Sequence, residues 1–335
     1  MKKVVHIAFC TNSQYVPYVG VAIKSLIMNS SKDIIYKIHI LHAGIAFYQQ
    51  GELEFVCNCV SNIELNFIDV SSYFDKHASM YVSGRQSVAA YWRFFLPECL
   101  SDVDKVIYLD GDLIVLDDLS KLYDENIEGY ALGACLDWGV VYSNNKTHSN
   151  SEREYMESLG LKDYRKYVNS GVMLINLDVW REEKIGDKLI SVATEHKFAL
   201  HDQDAINVLL GERIKLINCK WNFLIPSKRD LYPIGIERLL ESMIREFKFS
   251  IIHYAGKNKP WLDDCCLLRS VWVVIARNTP FFAGDLLNPM SQVEISIYQR
   301  KLKRFGQKLE KFLIPDIVHR VKRMLKAGNK REDKK

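Results

Sequence analysis

Two carboxylates one residue apart, Asp110-Gly111-Asp112, interrupt a stretch that is otherwise largely apolar, KVIYLDGDLIVLDD from Lys105 to Asp118. Val106, Ile107, Tyr108 and Leu109 form a run of buried-strand length before them, and Leu113 to Leu116 resume it afterwards. Carboxylates in such surroundings are costly unless something positive pairs with them. Residues i and i+2 of an extended chain point the same way, so both can face one ion. Gly111 carries no side chain to block a ligand. A hard divalent cation matches carboxylate oxygen, and a cation so held is suited to gripping a diphosphate. The competing reading is a plain hairpin turn, for which Asp-Gly is ordinary chemistry. Three residues alone leave both open.

Four more polar clusters fall at or near the ends of apolar runs: Asn12 to Gln14, Asp137, Asp202-Gln203, and His253 to Lys259 (HYAGKNK). A lone histidine ending a strand is often a satisfied core group. With the two aspartates, and with Gly256 and Lys259 following it, His253 is read as a third metal ligand. Imidazole suits Mn²⁺ better than Mg²⁺, so Mn²⁺ is expected and Mg²⁺ is the alternative. Arg93 lies among aromatics in AAYWRFFL. It either meets an anion or snorkels to the surface.

These groups need a scaffold that brings distant segments to one edge. Val4 to Phe9 is expected as a strand, followed by a polar turn and a helix over about 17–28. A second strand at 38–41, a helix over about 47–60 and a third strand at 63–70 continue the alternation, which argues for a parallel sheet covered by helices. The segment 81–96 contains an expected helix around AAYWRFFL. After the Asp110 strand come strands at 130–136, 172–177, 214–217 and 249–253. Asp178 is expected to cap a helix, Ala205 to Leu210 to form another, and Trp272 to Ala276 to lie in a last one. In such sheets ligands sit at the carboxyl ends of the strands, where Thr11 to Tyr15 and Asp110 to Asp112 both fall.

The chain has 335 residues, 48% hydrophobic and 26% charged, enough for one large α/β domain or a domain with an appendage. It has no run of about 18 apolar residues, the length of a transmembrane helix. The N-terminal MKKVVHIAFC is read as a first strand, not a signal peptide. Eight cysteines (10, 57, 59, 99, 135, 219, 265 and 266) are scattered without zinc-site spacing, which suits reduced thiols. The net charge of +4 is split: residues 291–335 hold 14 Lys and Arg against 5 Asp and Glu, and the other 290 residues hold 31 against 36. In that basic tail, Ile295, Tyr298, Leu302, Phe305, Leu309 and Phe312 recur at helical spacing. Ile317, Val318, Val321, Met324 and Leu325 make a second stripe beyond Pro315. Such a tail suits an anionic membrane surface. The alternatives for its first helix are packing on the body or a coiled-coil dimer.

Taken together, the segments NSQYVPYVGVAIKSL, YWRFFLPE, VIYLDGDLIV, LGACLD, YVNSGVMLINL, HDQDAIN and HYAGKNKPW resemble, in order, the retaining sugar-nucleotide glycosyltransferases of family 8, in particular bacterial lipopolysaccharide galactosyl- and glucosyltransferases. The resemblance spans about residues 3–277. It implies a Rossmann-like, nucleotide-sugar-binding fold of the GT-A type, a mostly parallel mixed sheet with helices on both faces. The catalytic domain is expected over 1–280 and a basic helical tail over 281–335. It further implies that Asp110, Asp112 and His253 hold the metal, and that Thr11, Asn12 and Tyr15 receive uracil and ribose. Gly256 and Lys259, with Gly111, are implied at the diphosphate, and Arg93, Asp137, Asn169, Asp202 and Gln203 in the sugar pocket. Many relatives carry Asp where Asn12 stands.

The function so implied is transfer of galactose or glucose from a UDP-sugar to a glycan acceptor, lipopolysaccharide core or another lipid-linked saccharide, by a peripheral enzyme on the cytoplasmic face of the membrane. No nucleic-acid partner is expected, because the tail interleaves apolar residues with its charges. Gln203 is an amide and a poor nucleophile, which favours front-side transfer over a covalent intermediate. Two rival readings are a phosphatase-type Asp-x-Asp hydrolase and a non-catalytic nucleotide-sugar-binding protein. The first usually places its motif at the first strand, and the second has no reason to keep all three metal ligands.

Overall fold

A computed structural model of the chain describes residues 2–58, 60–75, 87–143, 150–161, 163–225, 249–264 and 266–282. The tail stripes beyond 282, together with Cys59 and Cys265, lie outside the described residues. Strands β1 (Lys3–Cys10), β2 (Ile34–His42), β3 (Ile63–Asp69), β4 (Lys105–Leu109), β6 (Leu132–Leu136), β7 (Val168–Asn176) and β8 (Ile214–Leu216) form a seven-stranded sheet in the order β3-β2-β1-β4-β7-β6-β8. A second sheet holds β5 (Leu113–Val115), β10 (Ile251–His253) and β9 (Phe223–Leu224), in the order β5-β10-β9.

The large sheet is mixed rather than parallel throughout. β3, β2, β1 and β4 run parallel, but β7 is antiparallel to both β4 and β6. The reversal matters for the site. It brings the first residues of β7 to the edge where β4 ends, with Leu109 opposite Val172.

Alternation along β1 sends Val5, Ile7 and Phe9 to one face and Ala8 to the other. The first face is covered by α1 (Val16–Asn29) and α2 (Phe47–Cys57). The second is covered by the segment Val88–Phe95, α8 (Leu177–Glu182), α9 (Ile185–Glu195) and α10 (Asp202–Leu210). Shorter helical pieces are α3 (Ser71–Asp75), α4 (Leu96–Cys99), α5 (Ser120–Tyr123), α6 (Trp138–Ser143) and α7 (Asn150–Ser158). A last helix, α11 (Arg269–Ala276), packs on the small sheet together with Phe282, while Phe281 packs against Gly20 of α1. Among the described residues no helix is long and apolar enough to cross a membrane. All six described cysteines are free thiols.

Three local expectations change. Asp110 to Asp112 is not a hairpin turn: β4 and β5 belong to different sheets, and the turn is the passage between them. Val88–Phe95 is a 3-10 helix rather than an α-helix. Its three-residue repeat puts Ala90 and Arg93 on one side, and Arg93 Nε donates to the Ala90 carbonyl at 2.7 Å. The cap of α8 is Asn176, whose side chain accepts from the Val179 N–H at 3.2 Å. Asp178 sits two residues past the cap position and pairs with Arg181 at 2.5 Å instead.

Candidate active site

Asp110 leaves the end of β4 with its N–H donating to the Gly171 carbonyl at 2.8 Å. Its Oδ1 accepts from Arg93 Nη2 at 3.0 Å and from the Tyr108 hydroxyl at 2.9 Å. Asp112 is buried beside the first residue of β5. Its carbonyl accepts from the Tyr254 N–H at 2.9 Å, which ties the turn to the strand bearing His253. Asp110, Asp112 and His253 thus converge, one ligand atom from each lying within 4.8 Å of the others. His253 Nε2 is 3.2 Å from Asp112 Oδ1 and 3.8 Å from Asp110 Oδ2. Lys259 closes the other side of Asp112, paired with its Oδ2 and donating to the Tyr254 carbonyl at 2.9 Å. Burial alone would raise the Asp112 carboxyl. The charge of Lys259, first among its neighbours, outweighs it, and the group is held well below the usual carboxylate range.

The donor set of two carboxylates and one imidazole fits a divalent cation such as Mn²⁺. So does the space around it. A Cβ on Gly171 would stand 2.2 Å from His253 Cε1 and 2.7 Å from Asp110 Oδ2. Only glycine lets β7 pass this close behind the ligands, a role that the sequence reading did not assign. Gly111 has a packing role as well. Its missing side chain makes room for α1, since a Cβ there would stand 2.7 Å from Val19 Cγ2 and 3.3 Å from Tyr15 Cδ1. Gly256 has φ +76°, the left-handed region that favours glycine.

The sugar-pocket candidates form a second cluster beside the first. Asn169 Nδ2 donates to Asp137 Oδ2 at 3.1 Å and to Gln203 Oε1 at 3.0 Å. Gln203 Nε2 donates to Asp137 Oδ2 at 3.0 Å, and Gln203 Oε1 accepts the Ser170 N–H at 3.2 Å. Asp202, the first residue of α10, accepts from the Ser170 hydroxyl at 2.9 Å and from Arg93 Nη1 at 3.0 Å. Arg93 therefore bridges the clusters, binding an aspartate in each, with its guanidinium 4.1 Å from the Tyr108 ring centre. It is 3% exposed, which excludes the snorkelling reading. Burial raises the Asp202 carboxyl to about 6, with Arg93 opposing the shift and Asp110 adding to it. His201 precedes Asp202 with φ 52° and ψ −114°, a conformation that costs a residue with a side chain about 1–3 kcal/mol and aims the start of α10 into the site.

The turn after β1 lies at the same edge. Thr11 is buried, its N–H donating to Leu41 and its hydroxyl to the Asn12 carbonyl. Asn12 Oδ1 accepts the N–H groups of Gln14 and Tyr15, each at 3.1 Å, and its Nδ2 donates to Ser87. The Asn12 side chain thus shapes the entry to α1. Tyr15 stands at the N-cap position of that helix without a side-chain capping bond and meets Trp261 edge-on at 5.9 Å, while Tyr18 stacks on Trp261 at 3.7 Å. Contacts link Arg93, Asp110, Asp112, His253 and Lys259 with Asp137, Asn169, Asp202 and Gln203. Tyr108, Ser170, Gly171 and Asn222 join them unforeseen. Tyr108 alone had a sequence signal, its i, i+2 spacing from Asp110.

The family model described as Glycosyl transferase family 8 matches residues 6–265. General stress protein A of Bacillus subtilis is 29% identical over 269 residues, covering 77% of this chain and 88% of that protein. The lipopolysaccharide 1,2-glucosyltransferase of Escherichia coli is 25% identical over 259 residues, 76% of this chain and 72% of the other. Among solved structures, the galactosyltransferase LgtC in complex with donor and acceptor sugar analogs superposes with a TM-score of 0.64 at 26% identity, covering 82% of this chain and 96% of that one. The bifunctional enzyme WbbM shares the fold at a TM-score of 0.73 and 22% identity, over 84% of this chain and 51% of its own. With a shared fold and a family pattern running through residues 6–265, this chain belongs to glycosyl transferase family 8.

Proposed function

We propose that the protein is a metal-dependent, retaining hexosyltransferase that moves galactose or glucose from a UDP-sugar to a saccharide acceptor, lipopolysaccharide core or another lipid-linked glycan. The observation that carries this is the convergence of Asp110, Asp112 and His253 directly beside the Asp137–Asn169–Gln203 cluster. An anion-gripping centre and a hydroxyl-recognising pocket stand next to each other, as a diphosphate and the sugar attached to it require. Two similar proteins, a lipopolysaccharide glucosyltransferase and a galactosyltransferase, support the hexose class.

Asp110, Asp112 and His253 would hold a divalent cation, which would supply electrostatic stabilisation of the charge that grows on the departing diphosphate. Lys259, placed on the same carboxylate, adds a second positive charge on that side. Asp137, Asn169 and Gln203 present fixed acceptors and donors for sugar hydroxyls, and Arg93 keeps Asp202 and Asp110 apart in charge. Transfer breaks the bond from the anomeric carbon to the diphosphate oxygen and forms one to the acceptor oxygen on the same face. The acceptor's proton goes to the departing phosphate oxygen. The carboxylates of α10 support this front-side course over a covalent intermediate. Asp202 is engaged by Arg93 and Ser170. Asp204 is fully buried, bound by Tyr155, Tyr167 and the Leu200 N–H.

A screen of UDP-sugars with Mn²⁺ and with excess chelator tests the reading, followed by acceptor trials and NMR of the product linkage. Mn²⁺-dependent release of UDP and retained configuration are expected. Full activity in chelator, or an inverted product, defeats it. The tail over 291–335 is proposed to attach the enzyme to an anionic membrane at the cytoplasmic face, each basic residue contributing about 1 kcal/mol near the surface. A chain ended at Pro289 should keep its activity on soluble acceptors and lose salt-sensitive sedimentation with anionic liposomes. Unchanged sedimentation removes the membrane role.

A further inference from the structure

One buried amide lies between the two clusters and belongs to neither. Asn222 is fully buried immediately before β9, and β9 runs parallel to β10 with Leu224 opposite His253. Its Oδ1 is 2.9 Å from His253 Nδ1, and its Nδ2 donates to Asn169 Oδ1 at 2.8 Å. Amide oxygens and nitrogens must be assigned from their partners, and here main-chain groups settle the assignment. The Gly171 N–H can only donate, and it meets Asn169 at 3.0 Å, so that atom of Asn169 is the carbonyl oxygen. The Asn222 atom facing the same oxygen must then be its NH₂, which turns the Asn222 carbonyl oxygen toward His253. A carbonyl oxygen only accepts, so His253 Nδ1 carries a hydrogen, and in the neutral ring Nε2 is left with the lone pair that faces Asp110 and Asp112.

We propose that Asn222 is a positioning residue that fixes His253 as the Nδ1–H tautomer, and that the relay Gly171–Asn169–Asn222–His253 sets the metal-facing lone pair from the sugar pocket. The inference rests on the reading of Asp110, Asp112 and His253 as a cation centre. A ligating histidine in the other tautomer would aim a hydrogen at the ion and two lone pairs, Nδ1 and Asn222 Oδ1, at each other. Because Asn169 also contacts Asp137 and Gln203, the orientation of the imidazole and the shape of the pocket are set by one hydrogen-bonded unit.

The test uses the full-length protein and two substitutions. Asn222→Leu removes the acceptor and the donor together. Asn222→Asp keeps an acceptor for Nδ1–H and gives up only the donor to Asn169. Nitrogen-15 NMR of the labelled histidines, without metal and at a pH where imidazole is neutral, should show Nδ1–H at His253 in the wild type and in Asn222→Asp. In Asn222→Leu the two tautomers should mix. Mn²⁺ binding followed by electron paramagnetic resonance should weaken about 10- to 100-fold in Asn222→Leu, the usual effect of losing such a support, and be kept in Asn222→Asp. An Nε2–H tautomer in the wild type overturns the proposal even if neither variant folds. Equal Mn²⁺ affinity in the wild type and Asn222→Leu overturns it too, as does equal weakening in both variants. Failure of the wild type to bind Mn²⁺ at all defeats the metal centre instead, and the tautomer measurement still judges the relay.

Discussion

Two clusters a few ångströms apart at one sheet edge are built on opposite principles. Around Asp110, Asp112 and His253, the acceptors outnumber the donors, and two oxygens and a ring nitrogen converge on a common point. Around Asp137, Asn169 and Gln203, donors and acceptors match, each amide being used on both its oxygen and its nitrogen. The first arrangement is electrostatically incomplete and holds together through Arg93 and Lys259 at its flanks. The second is matched among its own members, which orients the lone pairs and hydrogens it has left over. A buried group left unmatched costs free energy, so an unmatched cluster inside an otherwise well-satisfied fold marks where an external charge is bound. The matched cluster marks where shape is held.

The contrast predicts effects of different kinds. Asp112→Ala should lower transfer by roughly a thousandfold or more, about 4 kcal/mol of transition-state stabilisation, with little loss of melting temperature. A large drop in melting temperature would mean that this cluster is structural after all. Gly171→Ala drives a methyl group into His253 and Asp110. Mn²⁺ affinity measured by titration should fall about 10- to 100-fold, and wild-type affinity would show that β7 can retreat. Gln203→Ala should differ from Asp112→Ala in costing stability rather than metal binding. It leaves Asn169, Asp137 and the Ser170 N–H short of partners, and chemical denaturation should register about 1–3 kcal/mol of lost stability, with Mn²⁺ affinity nearly kept. Stability equal to wild type would erase the distinction between the clusters.

The smallest effect compares two imidazoles. His253 faces two carboxylates, whereas His39 faces His6 at 3.0 Å, with Lys37 nearby. Burial first, then His6 and Lys37, lowers His39 to about 4 from the ordinary 6.5. Folded His39 stays neutral where the unfolded chain takes up a proton. Its contribution is complete above the unfolded value of 6.5 and is lost as pH falls through that value toward 4. After allowance for partial solvation this amounts to about 1–2 kcal/mol. Denaturation across that window should show the slope, and His39→Gln should flatten it.

Most of the elements were legible because their signals are local. Period-two and period-3.6 patterns and strand-length apolar runs are read within a few residues, and β1 to β3 with α1 and α2 fall close to where those patterns put them. Val88–Phe95 was placed but mistyped, since propensity does not separate a 3-10 from an α-helix when tertiary packing decides. Gly171 and Asn222 were invisible for a different reason. Their roles depend on atoms in other segments, and Asn222 meets Asn169 across 53 residues of sequence.

By itself, then, the sequence determined the α/β class, the turn that carries the two aspartates, the order of the polar segments and the family they belong to. Each of these is written in short-range spacing or in residue identity. The tertiary structure decided that β7 runs backwards in the sheet, which lays Asn169 to Gly171 beside Asp110. It also decided that the Asp110–Asp112 passage changes sheets and that Arg93 is buried between two carboxylates. The direction of every amide around His253 was settled there as well. These follow from strand pairing and close packing between residues far apart in the chain. No local pattern encodes such contacts, because their free energy exists only once both partners are in place.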